Sequence, residues 1–188
     1  MAPSLAEAAR AVAAGALVVY PTDTLLGVAA RADDAAAVLR LSEAKARPPD
    51  QPISVAVSSF EELERLAELG VGGRGFLRTH LPGPYTLLVR PSAWARRHLA
   101  PAIASGPTIG LRIPDHPVAR ELARRAGPIT ATSANRHGAP PARTVAEARR
   151  SLGTAVRYYL AARPAPSGRP SELIDLTGPT PRPVVRGS

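Results

Sequence analysis

Short apolar runs alternate with capped, helix-periodic segments along the whole chain, and that alternation restricts the fold to the α/β class. A capping box of Ser4 and Glu7 opens the helix LAEAARAVAA, which stops at Gly15, and a strand over 16–20 follows. Asp33 and Asp34 set acids at the start of AAAVLRLSEAK and Lys45 closes it, so both ends suit the helix dipole. A buried strand over 53–57, a helix FEELERLAEL capped by Ser59, strands over 85–90, 108–113 and 128–132, and a helix over 117–126 continue the pattern. Thr144 and Glu147 make another capping box before VAEARRSL, and VRYYLAA and ELIDLT read as late strands. The expected architecture is one domain over residues 1–188, a mixed sheet with flanking helices. The Pro-, Gly- and Ser-rich stretch 163–170 is expected to be a mobile loop that can cover something, and 181–188 a tail.

Composition narrows the chemistry. Aromatic residues are only 4%, so Ala, Val, Leu and Ile must fill the core. The absence of cysteine excludes thiolate nucleophiles, disulfides and cysteine-based zinc sites. Four scattered histidines without HxxxH spacing argue against a dedicated transition-metal site. No apolar run is long enough for a membrane span and no signal pattern opens the chain, so a cytoplasmic location away from membranes is expected. The net charge of +9 favours anionic partners such as nucleotides, phosphates or nucleic acid; an arginine-rich proteome would give the same balance. Lys45 is the only lysine, an ammonium kept where the chain elsewhere uses arginine.

GVGGRG at 70–75 matches G-x-G-x-x-G but follows a helix instead of a strand, so it reads as a turn between helices and not as a dinucleotide site. Lys45 and Arg47, two apart just past a helix, suit a polyphosphate; they equally suit the negative end of the helix dipole. TATSANRHG sets Thr130, Thr132, Ser133 and Asn135 where a strand gives way to a loop, the place ligands occupy in α/β sheets; a hydrogen-bonded turn is the plainer reading. Arg112 lies inside an apolar strand and must meet either an internal acid or an anionic ligand. LPGPYTLLV reads as structural, its prolines and Gly83 aiming the chain into a strand.

In order along the chain, YPTDTLLG, KARP, LPGPYTLLV, TIGLRIPDHP, TATSAN, RPSELIDLT and VVRGS resemble the YrdC/TsaC-like threonylcarbamoyl-AMP synthases, from about residue 10 onward and in the single-domain form. The resemblance implies a twisted mixed sheet with a large, basic concave cleft. It implies an enzyme that joins L-threonine, bicarbonate or CO2, and ATP into threonylcarbamoyl-AMP and pyrophosphate, the first step of a tRNA modification beside the anticodon. Mg2+ would arrive with ATP, and tRNA and downstream threonylcarbamoyl-transferase proteins are the further partners implied. Carried over by motif, Lys45 and Arg47 would hold the triphosphate and Ser133 and Asn135 nucleotide phosphate, with Thr108 near the nucleotide and Arg186 closing over it. Thr24, Arg112, Thr132 and Ser171 would face the amino acid, Arg112 through its carboxylate. Asp23 is expected to cap its loop and not to act as a base.

The family pattern is departed from in three places: Leu25 and Leu26 replace an aromatic, Gln51 stands for a basic residue or asparagine, and Ser171-Glu172 replaces a Ser-Thr pair. No covalent nucleophile is needed, since positioning and charge stabilisation suffice for phosphoryl chemistry. Two other readings stay open: a non-catalytic module binding double-stranded RNA or tRNA, though stacking aromatics are few, and a related carbamoyl-transfer enzyme with another substrate.

Overall fold

The computed structural model describes residues 3–48, 51–161 and 163–185. In chain order the elements are α1 (Leu5–Ala13), β1 (Val18–Pro21), β2 (Leu26–Ala29), α2 (Ala35–Lys45), β3 (Val55–Ala56), α3 (Phe60–Leu66) and β4 (Ala67–Glu68). Then come α4 (Val71–His80), β5 (Tyr85–Pro91), α5 (Ala93–His98), α6 (Pro101–Ala104), β6 (Ile109–Arg112) and α7 (Pro117–Ala126). The last are β7 (Ile129–Thr130), β8 (Thr132–Ser133), α8 (Val145–Leu152), β9 (Tyr158–Tyr159), β10 (Glu172–Asp175) and β11 (Arg182–Val184).

The strands form two sheets, not the one expected. The first runs β8-β2-β1-β9, and the second β11-β10-β5-β6-β3-β7 with β4 beside β5. Both are mixed: β1 pairs antiparallel with β2 and parallel with β9, while β5 pairs parallel with β10 and antiparallel with β6. The expected strand over 128–132 is what joins them. Its first half, β7, pairs with β3 and its second half, β8, pairs with β2, so the chain changes sheet at Ala131. A Ser54 carbonyl holds the Ala131 N–H at 2.7 Å across that change.

β1 is buried on both faces, with side chains alternating between two cores. Val19 enters a large core with Val28, Leu41, Val55, Leu87 and Leu111. Val18 and Tyr20 enter a smaller one, built on α1 and α7 from Ala8, Val12, Ala119, Leu122 and Ala123. Aliphatic side chains do fill the interior, as the low aromatic content requires. Among the described residues no helix is long and apolar enough to cross a membrane.

The caps hold, with differences. Ser4 and Glu7 exchange both bonds of their box. Thr144 accepts from the Glu147 N–H at 3.1 Å, but the Glu147 carboxylate reaches back to the Arg143 N–H instead of its own cap residue. The glycine-rich 70–75 stretch is no turn: Gly70 caps α4 and the helix runs through it. Arg182–Val184, expected as tail, adds an antiparallel edge strand to β10. α5 and α6 were not foreseen.

Candidate functional site

The loop between β1 and β2 is organised by Thr22. Its hydroxyl accepts the N–H groups of Thr24 at 3.1 Å and Leu25 at 3.2 Å and donates to the Leu25 carbonyl at 2.7 Å. That is a Ser/Thr turn, and it leaves Asp23 free for other work. The Asp23 carboxylate accepts from Arg112 at 2.7 Å, while a second Arg112 nitrogen donates to the Thr24 hydroxyl at 3.0 Å. Asp23 is thus not the loop's cap; Thr22 is. Arg112, 6% exposed, meets an internal acid, the first of its two expected partners. Both groups keep unused capacity: Asp23 Oδ2 and Arg112 Nε are buried without hydrogen-bond partners.

The 163–170 stretch lies over this loop. Ser167 and Gly168 donate backbone N–H groups to the Asp23 and Thr24 carbonyls at 3.1 and 2.8 Å. Buried His116, the cap of α7, accepts from the Val118 N–H and reaches the Pro164 carbonyl at 2.9 Å. Beyond the stretch, the Ser171 hydroxyl sits 2.7 Å from that of Thr86.

The two cations at the end of α2 separate. Ala46 adopts a left-handed conformation, φ 49°, which is uncommon without glycine and turns the chain sharply between them. Lys45 is 2% exposed and its ammonium donates to the Ser133 carbonyl and, at 2.5 Å, to that of Asn135. Burial, with Arg47 nearby, lowers its pKa to about 8, so it stays protonated at neutral pH. Arg47 donates to the Pro52 carbonyl at 2.6 Å, its Nε is buried without a partner, and burial holds its guanidinium below the usual value.

These elements wall one cavity of about 290 Å³. Of the residues expected from sequence, Thr24, Arg47, Arg112, Thr132, Ser133 and Ser171 line it. Lys45 and Asn135 stand behind the wall; the Asn135 amide donates to the Arg136 and Ala139 carbonyls at 2.8 and 2.7 Å, and its side-chain oxygen is unpartnered. Thr108 is not brought in, lying beyond the far end of β6, about 13 Å along the strand from Arg112. Arg186 falls outside the described residues. Thr130 is structural: its hydroxyl bridges the Val28 carbonyl and the Ala30 N–H.

Sequence reasoning missed Tyr20 and Ser54, which also line the cavity. The Tyr20 hydroxyl donates to the Thr130 carbonyl at 3.0 Å, and burial raises its pKa. Gly27 explains how the ring fits, because a Cβ there would stand 3.0 Å from it. Ser54 interrupts the apolar run ISVAV, and that interruption was the available signal. Among the described lining residues the cations are Arg47 and Arg112, and Asp23 neutralises the latter. Among the described residues no group of three or more His, Cys, Asp or Glu could hold a metal ion.

Comparison with known proteins identifies the family. Over 179 residues the chain is 41% identical to a Mycobacterium tuberculosis protein provisionally named threonylcarbamoyl-AMP synthase, covering 95% of this chain and 81% of that one. It is 37% identical over 177 residues to the Chromohalobacter salexigens threonylcarbamoyl-AMP synthase, covering 93% and 94%. A crystal structure of P. abyssi Sua5 complexed with L-threonine superposes with a TM-score of 0.86 at 33% identity. That match covers 94% of this chain but 52% of the other, so the chain spans about half of that Sua5. The family model for Sua5, YciO and YrdC, described as "Telomere recombination", matches residues 10–188. Sequence order, sheet topology and relatives agree, and the chain belongs to the Sua5/YciO/YrdC family.

Proposed function

We propose that this protein is an L-threonylcarbamoyladenylate synthase, joining L-threonine, bicarbonate or CO2, and ATP and releasing pyrophosphate. One observation carries the reading: a single cavity is walled both by Arg112 with Thr24, suited to an amino-acid carboxylate, and by Arg47 with Ser133, suited to phosphate oxygens. Its volume of about 290 Å³ lies near the lower end of roughly 300–1,000 Å³ for small-molecule pockets. Such a space would take an amino acid and the reacting phosphate, with the nucleoside outside it.

The chemistry needs no protein nucleophile. The neutral threonine amine adds to CO2, forming a C–N bond and releasing a proton. A carbamate oxygen then attacks the α-phosphorus, and the bond to the β-phosphate oxygen breaks as pyrophosphate leaves. Arg47 stabilises charge on the phosphates, while Arg112, Thr24, Thr132 and Ser171 orient the amino acid. Mg2+ would be carried by ATP and would neutralise phosphate charge, since among the described residues no group of three or more His, Cys, Asp or Glu could hold it. The product's mixed anhydride is then consumed by transferase proteins that modify an adenosine beside the tRNA anticodon.

Incubation with ATP, bicarbonate and each amino acid in turn tests the reading. Pyrophosphate release dependent on threonine is expected. Release with another amino acid would move the assignment to a related carbamoyl-transfer enzyme. Tight tRNA binding without ATP turnover would contradict catalysis altogether.

A further inference from the structure

Lys45 and Arg47 share one motif but not one environment. Arg47 lines the cavity, while the Lys45 ammonium is seated on the Ser133 and Asn135 carbonyls. We propose that Lys45 is a positioning residue, holding the Ser133–Asn135 turn so that Ser133 is presented to the cavity, and that phosphate contact is made by Arg47 and Ser133. This rests on the synthase reading above and narrows it.

The seat is built from several directions. The Lys45 carbonyl accepts the His137 N–H at 2.7 Å, so main chain and side chain both tie α2 to the same segment. The turn itself is closed by the Asn135 N–H on the Ser133 carbonyl at 2.9 Å, and Ala134 donates to the Leu26 carbonyl at 2.8 Å. The Asn135 amide then pins the next stretch through Arg136 and Ala139. An ammonium suits this place because it is compact and has three tetrahedral donors, whereas a guanidinium is a wide planar fork. That accounts for the chain's single lysine among 24 basic side chains. The left-handed Ala46 sends the two cations to different work, one behind the wall and one onto it. Swinging Lys45 onto a phosphate would strip two carbonyls of their charged donor and release the turn that holds Ser133.

The unique lysine makes a direct test possible. Lysine labelled at Nζ gives one ammonium signal in the whole protein. In the free protein that signal should be protected from solvent exchange; rapid exchange would overturn the proposal. With Mg-ATP bound, a solid-state NMR distance measurement should find Nζ still at the Ser133 and Asn135 carbonyls and out of contact with phosphorus. Direct contact with phosphorus would overturn it. Kinetically, Lys45→Met should reproduce the defect of Ser133→Ala, and the double variant should be no worse than either alone, whereas Arg47→Ala should add to both. Additive losses from Lys45→Met and Ser133→Ala would contradict the positioning role. Should Lys45→Met fail to fold, the measurements on the native protein still decide. Absence of pyrophosphate release in the native protein would count against the synthase reading alone, because exchange protection tests the seat without any turnover.

Discussion

Arg112 and Asp23 stand 89 positions apart and meet at 2.7 Å, with side chains only 7% and 12% exposed. Removing one charge of such a pair leaves the other desolvated and unmatched. Asp23→Asn should therefore lower unfolding free energy by about 3 kcal/mol in urea denaturation. Glu121→Gln is the control: its bonds to Arg124 and Arg125 lie on exposed surface, where screening leaves little net effect. Equal losses would contradict the buried-pair account. Lys45 gives a pH signature. Its folded pKa, about 8, lies below the ordinary 10.5, so between those values the unfolded chain binds more protons. Stability should rise with pH across that window, by at most about 3 kcal/mol, and be lost again as pH falls through 8. A urea midpoint that is flat from pH 8 to 10, or that rises equally in Lys45→Met, would contradict the burial of this ammonium.

At the scale of elements, the end of α2 is the strained point. Ala46 holds φ 49°, its N–H on the Glu43 carbonyl at 3.0 Å and the next N–H on Ser42 at 2.9 Å. Ala46→Gly removes the Cβ penalty and should stabilise by about 0.5–1 kcal/mol, seen as a higher Tm, with the geometry of Lys45 and Arg47 kept. A lower Tm would mean that the turn is not strained. The helices themselves were legible because capping is local: Ser4, Ser59 and Thr144 each accept from the N–H three residues on. The strand over 128–132 was legible only as an apolar run. Its division between two sheets depends on the partners β3 and β2, which local sequence does not encode. GVGGRG misled for the opposite reason: a glycine-rich string suggests a turn, yet α4 packs there with Gly73 buried. Gly72 has a packing reason too, since a Cβ on it would meet the Pro179 carbonyl at 2.6 Å.

At the scale of the molecule, two sheets meet at Ala131, and the cavity opens where that change of sheet faces the Thr22–Leu25 loop and the 163–170 stretch. Motif order pointed to Thr24, Arg47, Arg112, Ser133 and Ser171, which do share its wall. It could not show that Asp23 pairs with Arg112, that Lys45 lies behind the wall, or that Thr108 is not among the lining residues. Those facts follow from register and side-chain direction, both set by distant partners. The net charge of +9 said little about the site, whose wall among the described residues carries two cations, one of them neutralised. A crystal structure with L-threonine and a non-hydrolysable ATP analogue tests the central claim most directly. It should show the threonine carboxylate on Arg112 and Thr24 and the phosphates on Arg47 and Ser133, within one cavity. Phosphates bound away from Arg47 and Ser133, or an amino acid that leaves Arg112 untouched, would contradict it.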